Sequence, residues 1–364
     1  MSEPERAGVL LIHWGRRNAG PLLLREYVDA LRPPLADRLH VSGNRAVESA
    51  VRPDARVTRF DVDTYSSPAG VVVGLPRLVR QALGLRRYIR RSGVGTVFAP
   101  MFSVWQTLAL HLWLPRDVRY VTTVHDAADH PGERHPVRSL CRRIELGRAD
   151  AAVVYSDQVE RAVRALARTV PTVRLELGAP PAGRPRGRAA DRPIIGFFGR
   201  LVAYKGLDVF VETVRMLAAD RDVRGVVHGY GVVPPETRLA GGDDVDWRIG
   251  YVGEDEVLDV LRSFDVSVLP YQEASQSGVV LQSFAAGVPV VVTPVGGLRE
   301  QAEERGGFVA DGTDARSLAA AVARVLDDAE LYAQLSATAV RTAEERSWPA
   351  VAAPLLRLLD EVHG

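Results

Sequence analysis

The chain has 364 residues, a net charge of +1, 46% hydrophobic residues and 25% charged ones. Such a length accommodates two ordinary domains, such a balance excludes a disordered chain, and so small a net charge leaves no global field to gather nucleic acid. The single cysteine, Cys141, excludes a disulfide framework and implies a reducing, cytoplasmic setting, while the opening MSEPERAG is expected to be no signal peptide and no apolar run reaches the length of a membrane span.

Short β-rich runs alternate with helical patterns along the whole chain. Residues 8–14, 57–62, 96–102, 120–126 and 151–156 read as strands in the first half, and 193–199, 223–229, 266–271 and 288–294 in the second. Several are continuously apolar, as parallel strands buried on both faces must be. Between them lie amphipathic stretches, such as Leu207, Phe210, Val211, Val214 and Leu217 after Lys205. The alternation predicts an α/β protein of two Rossmann-like, doubly wound parallel-sheet domains facing a cleft, each with about five strands. The Pro-, Gly- and Arg-rich stretch around 179–191 reads as a linker, dividing residues 1–178 from 192–345. A last helical stretch from 346 to 364 has an apolar face but no strand after it, and is expected to pack back on the first domain.

Three features of the first half invite a functional reading. In HWGRRNAGPLLL (13–24), Gly15, Arg16, Asn18 and Gly20 form a loop between the first strand and a helix that starts near Pro21. Residues 75–91, LPRLVRQALGLRRYIRR, carry six arginines among regularly spaced leucines. This basic amphipathic helix is either an ordinary solvated face or a peripheral contact with an anionic membrane. In 123–135, His125, His130 and His135 accompany Asp126 and Asp129, but their spacing of five and the Pro131-Gly132 break gather no metal site.

The strongest signal is GRLVAYKGLDVF (199–210). Of the 46 lysines and arginines in the chain, Lys205 is the only lysine. The apolar strand IIGFFG runs into Gly199-Arg200, then a short loop, then Lys205-Gly206 and a helix. The C-terminal end of a parallel strand is where open α/β sheets bind ligands, and the next helix offers free N–H groups. Arg200 adds a planar fork and Lys205 a compact charge. Together they suit a diphosphate, although the spacing is not that of a Walker loop.

GRLVAYKGLDVFVETV resembles the Gly-Arg…Lys-Gly signature of retaining GT-B glycosyltransferases of family 4, and the similarity continues in order through VVHGYG (226–231), WRIGYVGEDEVLDVLRSFDVSVLPY (247–271) and GVPVVVTPVGGLREQ (287–301). The resemblance implies transfer of a hexose from a UDP- or GDP-sugar to a hydroxyl of a sugar, lipid-linked or small-molecule acceptor, with retention and without a metal or other cofactor. It implies Arg200, Lys205 and His125 as catalytic groups. Donor contacts would come from Gly199, Gly229, Tyr251, Val252, Glu273, Ser275, Gln276, Ser277, Gly278, Val279 and Gln282. Gly15, Arg16, Asn18, Gly20 and Asp126 would lie on the acceptor side. The chain departs from the family where two glutamates with seven residues between them are usual: Ser275 falls at the first, and Gln282 or Ser283 near the second. A binding subunit without catalysis, or another GT-B enzyme such as a nucleotide-sugar epimerase, would share most of these features.

Overall fold

The computed structural model describes residues 7–16, 19–47, 57–65, 70, 73–126, 136–187, 191–303 and 305–363. The chain forms two compact units. Among the described residues the first comprises those up to 126, 136–176 and from 348 on, and the second those within 177–347.

The first unit is built on a seven-stranded parallel sheet. Its strands are β1 (Gly8–Ile12), β2 (Leu39–Ser42), β3 (Thr58–Arg59), β4 (Val94–Ala99), β5 (Arg119–Val124), β6 (Ala151–Val154) and β7 (Thr172–Arg174). They lie in the order β3-β2-β1-β4-β5-β6-β7. β1, β4 and β6 are buried at every position, which is why they read as unbroken apolar runs. The helices here are α1 (Ala19–Leu35), α2 (Leu75–Arg91), α3 (Val104–Trp113), α4 (Pro136–Arg148) and α5 (Asp157–Leu166). A core of Leu10, Ile12, Trp14, Val97, Trp105 and Tyr120 fills the space between sheet and helices.

The second unit repeats the plan with six parallel strands: β8 (Ile194–Leu201), β9 (Arg224–Gly231), β10 (Val245–Ile249), β11 (Val266–Leu269), β12 (Val290–Val292) and β13 (Gly307–Val309). Their order is β10-β9-β8-β11-β12-β13. Its helices are α6 (Leu207–Ala218), α7 (Pro235–Gly241), α8 (Val257–Arg262), α9 (Gly278–Ala285), α10 (Gly296–Ala302), α11 (Ala315–Asp327) and α12 (Ala329–Glu345). Gly196 on β8 is set by packing, since a Cβ there would lie 2.0 Å from the Phe264 ring. In both sheets the order reverses beside the first strand, at β1/β4 and at β8/β11. Loops leaving the C-terminal ends of such strands diverge and open a crevice.

The sheets have seven and six strands, not about five each. The missed strands β2, β7, β10 and β13 have three to five residues, and runs so short give a weak periodic signal. The 57–62 run pairs as a strand only at Thr58–Arg59, both exposed, with a single further bridge from Val62 to Asn44. The stretch expected as a free linker is packed on the second unit. Gly183 N donates to Ala285 O at 2.7 Å, Arg186 N to Ser336 Oγ at 2.7 Å, and the Arg186 guanidinium to Phe264 O at 2.6 Å. Backbone hydrogen bonds of this kind depend on distant residues and leave no local pattern.

The last helix, α13 (Trp348–His363), belongs to the first unit and packs on α1, β4 and β5. Leu355 and Leu359 are fully buried, the Trp348 ring meets Tyr27 edge-on at 5.1 Å, and Asp360 pairs with Arg38 at 3.3 Å. The chain thus completes its first unit with its last 17 residues. Replacing Leu355 by Ala should lower stability by about 2–5 kcal/mol, the range for emptying a buried leucine site. Chemical denaturation followed by circular dichroism checks this, and a loss well below 1 kcal/mol would mean that the helix does not anchor the first unit.

Candidate functional site

The second unit gathers charge and free backbone at the β8/β11 reversal. β8 ends at Gly199-Arg200-Leu201, a single 3-10 turn covers Ala203–Lys205, and α6 begins after Gly206. Gly206 is left-handed, with φ +67°, and a Cβ there would lie 2.1 Å from Pro270 O. Only glycine lets this turn sit so close to the exit of β11. Gln272 N donates to Tyr204 O at 2.7 Å and ties the two loops together.

Lys205 is placed by this contact. Its Nζ stands 4.8 Å from the centre of the Tyr271 ring, and a Cβ at Gly199 would lie 3.0 Å from it. The same Cβ would meet Val279, in the first turn of α9, at 3.8 Å. Gly199, Lys205, Tyr271 and Val279 therefore converge. Gly229, beside Gly199 in the β8–β9 ladder, is pressed on it so closely that a Cβ would overlap Gly199 O at 1.8 Å. Arg200 is half-buried and hydrogen-bonds the Tyr204 side chain. Burial raises the Tyr204 phenol above its ordinary range, against the pull of Lys205 and Arg200. A cluster of two cations and a glycine floor beside a helix start suits a diphosphate.

The loop after β11 is ordered by a ring of hydrogen bonds. Thr293 Oγ1 donates to Tyr271 O at 2.5 Å, and Gly297 N to Ala274 O at 3.0 Å. Gln301 accepts from Ser277 N at 2.6 Å and donates to Ser277 O at 3.4 Å. Ser277 is buried, its hydroxyl 3.5 Å from that of Tyr271. It holds the loop in shape, whereas Glu273, Ser275, Gln276 and Gln282 are half-buried around it. Gly278 is exposed with open space before it, at the start of α9 where first-turn amides have no partner within the helix. Tyr251 is 74% exposed and stacks obliquely on Tyr230 at 5.8 Å, forming an aromatic ledge at the ends of β9 and β10. Val252 follows it, half-buried.

In the first unit two histidines meet at the β1/β4 reversal. His13, ending β1, donates from Nδ1 to Met101 O at 3.2 Å, and His125, ending β5, donates from Nε2 to Pro100 O at 2.9 Å. A carbonyl only accepts, so each neutral ring carries its proton on the stated nitrogen. His13 is 3% exposed, and its free Nε2 has no hydrogen-bond partner among the described residues. Burial, then the nearby His125, hold its pKa down to about 4 against the carbonyl of Met101. Cβ atoms at Gly15 and Gly20 would lie 2.4 and 2.1 Å from that Nε2, so both glycines are there to fit the ring. His125 is also lowered by burial, opposed by Pro100 O and by Asp126, and its ring lies 5.1 Å from Tyr155. Arg16 is exposed and donates to Tyr65 O at 3.4 Å. Asn18 and the histidines at 130 and 135 lie outside the described residues, and among those described no group of three or more His, Cys, Asp or Glu forms a metal site.

Sequence reasoning missed three residues. Tyr271 stands under Lys205, Gln301 pins Ser277, and His13 fills the space above the glycine loop. The order of motifs contained Gln301 and Tyr271, but their roles arise from contacts across 24 and 66 positions of chain, which no local pattern encodes.

A basic, glycine-floored crevice at the strand-order reversal of a Rossmann-like sheet lies where open α/β sheets bind their ligands. Residues 192–328, within the second unit, match the family of glycosyl transferases group 1. The chain is 34% identical over 195 residues to the D-inositol 3-phosphate glycosyltransferase of Thermobispora bispora, covering 50% of the chain and 46% of that protein. It is 28% identical over 350 residues to the enzyme of the same name from Corynebacterium efficiens, covering 85% of the chain and 82% of that protein. With the first of these relatives the match thus spans about half the relative's length. Among solved structures, sucrose-phosphate synthase from Thermosynechococcus elongatus aligns with TM-score 0.73 at 19% identity, over 98% of this chain and 99% of that one. Anabaena Alr3699/HepE in complex with UDP and glucose aligns with TM-score 0.71 at 14% identity, over 98% and 99%. Likeness at such identities establishes the GT-B fold of two Rossmann-like domains.

The buried neutral His13 makes stability depend on pH. Between its ordinary pKa of 6.5 and its folded value of about 4, the unfolded chain takes up a proton that the folded chain refuses. Its contribution is complete above pH 6.5 and is lost as pH falls towards 4, by about 3 kcal/mol in all. His13→Asn, which keeps a donor for Met101 O, should flatten the pH dependence of the unfolding free energy in that window. An unchanged slope would mean that the ring is not buried and neutral.

Proposed function

We propose that the chain is a glycosyltransferase that moves a hexose from a nucleotide-diphosphate donor to a hydroxyl acceptor, with retention of anomeric configuration. The observation that carries this reading is the convergence of Lys205, Arg200, Gly199 and the start of α9 at the β8/β11 reversal. As the glycosidic bond breaks, negative charge grows on the β-phosphate. Lys205 and Arg200 would stabilise it there, in a site whose groups are already in place. The α9 amides at Gly278 and Val279 would add oriented N–H dipoles. Tyr251, beside Tyr230, would lie under the base, with Val252 following. Glu273, Ser275, Gln276 and Gln282 would meet sugar and ribose hydroxyls, with neutral groups where two glutamates are usual. The hydrogen-bonded order of this loop supports a working site over a decayed one. The relatives' name and the UDP and glucose of the Anabaena complex favour a UDP-sugar donor and a polyol or sugar hydroxyl as acceptor.

The first unit would supply the acceptor side through the Gly15–Gly20 loop and Asp126. His125, whose ring is oriented by Pro100 O, would belong to that acceptor side. The leaving phosphate would take the acceptor's proton in a front-face attack, since two fixed cations do a metal's work. A chelator should then leave turnover unchanged.

Calorimetric titration with UDP and GDP names the base. Lys205→Ala should abolish tight nucleotide binding and lower turnover about 100-fold or more, the size expected for losing one charge stabiliser. Near-normal turnover in that variant would reject the assignment. Binding without transfer to any hydroxyl would instead leave a nucleotide-sugar-binding subunit, and isomerisation of the donor without an acceptor would leave an epimerase.

A further inference from the structure

The first unit carries a cavity of about 720 Å³ that the reading above does not use. It lies between α2, the edge strand β3 and the turn after β2, and its volume is that of a small-molecule site. Its wall is strongly basic. Arg45, Arg59, Arg77, Arg80 and Arg87 line it, against only Asp61 and Asp63.

The two carboxylates are already engaged. Asp61 pairs with Arg59 at 2.9 Å and accepts from Gly43 N at 2.9 Å, and Asp63 pairs with Arg45 at 2.9 Å. Arg77, Arg80 and Arg87 remain, with no hydrogen bond or ion pair among the described residues. Other arginines of the same helix are occupied structurally: Arg86 donates to Trp113 O at 3.3 Å, and Arg90 makes a two-pronged pair with Asp117 at 2.7 and 3.0 Å. The three arginines of α2 that face the cavity thus have no partner among the described residues, a state that Arg91, outside the cavity, shares.

Their spacing places them on one face of α2, while Leu78, Ala82, Leu85 and Ile89 are buried on another. Gly84 lies between Arg80 and Arg87 on the cavity face. A Cβ there would stand 3.1 Å from the Phe60 ring, so glycine leaves the ring as an apolar floor and the space above it open. Three like charges around one hollow repel each other, and an anion in the hollow relieves that repulsion. Guanidinium forks match the oxygens of a phosphate group, and Asp61, Asp63 and Gln81 offer acceptors to hydroxyls.

We propose that this cavity is a second anion site, which binds a phosphate monoester carried on a hydroxylated body. It is separate from the donor cradle, which lies in the other unit, and it does not depend on the nucleotide reading. The phosphate belongs either to a soluble phosphorylated sugar or to a lipid headgroup, and the concave shape is the same for both.

The test uses the full chain and two probes. Glucose 6-phosphate is titrated by calorimetry, with glucose as control. Phosphatidylcholine vesicles with and without phosphatidic acid are used for co-sedimentation. Expected is saturable binding of glucose 6-phosphate but not glucose, weakened about 10-fold or more by Arg80→Glu and by Arg87→Glu, and unchanged by Lys205→Ala. Binding only to phosphatidic-acid vesicles, lost in the same two variants, also supports the site and identifies the phosphate as a headgroup. Circular dichroism should show both variants folded, since each residue is exposed and has no partner among the described residues. No binding of either probe, binding undiminished in both arginine variants, or binding abolished by Lys205→Ala would overturn the proposal.

Discussion

The contact between the Gly206 turn and the exit of β11 is the constraint on which the second unit's site depends. Pro270 O occupies the place where any Cβ at position 206 would go, and Gln272 N closes on Tyr204 O across the same gap. These two contacts hold together loops from the two strands that flank the order reversal. Without them Lys205 would be a long, mobile side chain on a surface turn, with rotamer freedom to lose on binding. With them, its ammonium rests above Tyr271 and Gly199 before any ligand arrives. The ring face of Tyr271 attracts the cation and excludes little of the space in front of it.

Close backbone approach recurs at both reversals and serves different partners. In the second unit Gly199 and Gly229 are pressed together so that the floor of the crevice is bare backbone. In the first, Gly15 and Gly20 make room for the His13 imidazole. The two loops look alike in sequence, each a glycine-bearing turn between strand and helix. What separates them is the side chain that fills the gap: His13 in one, Lys205 at the rim of the other.

Charge is distributed with the same economy. The chain is almost neutral overall, yet its cations are not evenly matched. Most surface arginines have a carboxylate or carbonyl partner, as Arg90, Arg119 and Arg221 do. Exposed pairs of that kind contribute little to stability, and their effect is to cancel local fields. Where partners are lacking, as along the cavity face of α2, a local positive field survives in spite of the neutral total. Composition therefore excludes a global attraction for polyanions but is silent about such pockets.

The sequence alone determined the architecture and the basic glycine-bearing turn proposed as the donor cradle. Buried parallel strands must be continuously apolar, and a diphosphate needs cations and free amides at a strand end, so both leave local marks, at 194–201 and 199–206. The tertiary structure alone decided the rest. Edge strands of two to five residues are made by pairing with a neighbour and carry hardly any pattern of their own. The Pro-rich stretch before β8 reads as a linker because its hydrogen bonds go to residues 102 and 150 positions away. Ser277 reads as a ligand group and proves to be a buried pin, because its partner Gln301 arrives from another helix. The arginines of α2 are alike in sequence, and only the position of β3, Asp117 and Trp113 sorts those that are paired from those that face an open cavity. Local chemistry writes itself into neighbouring residues; which polar groups meet each other is settled by the fold.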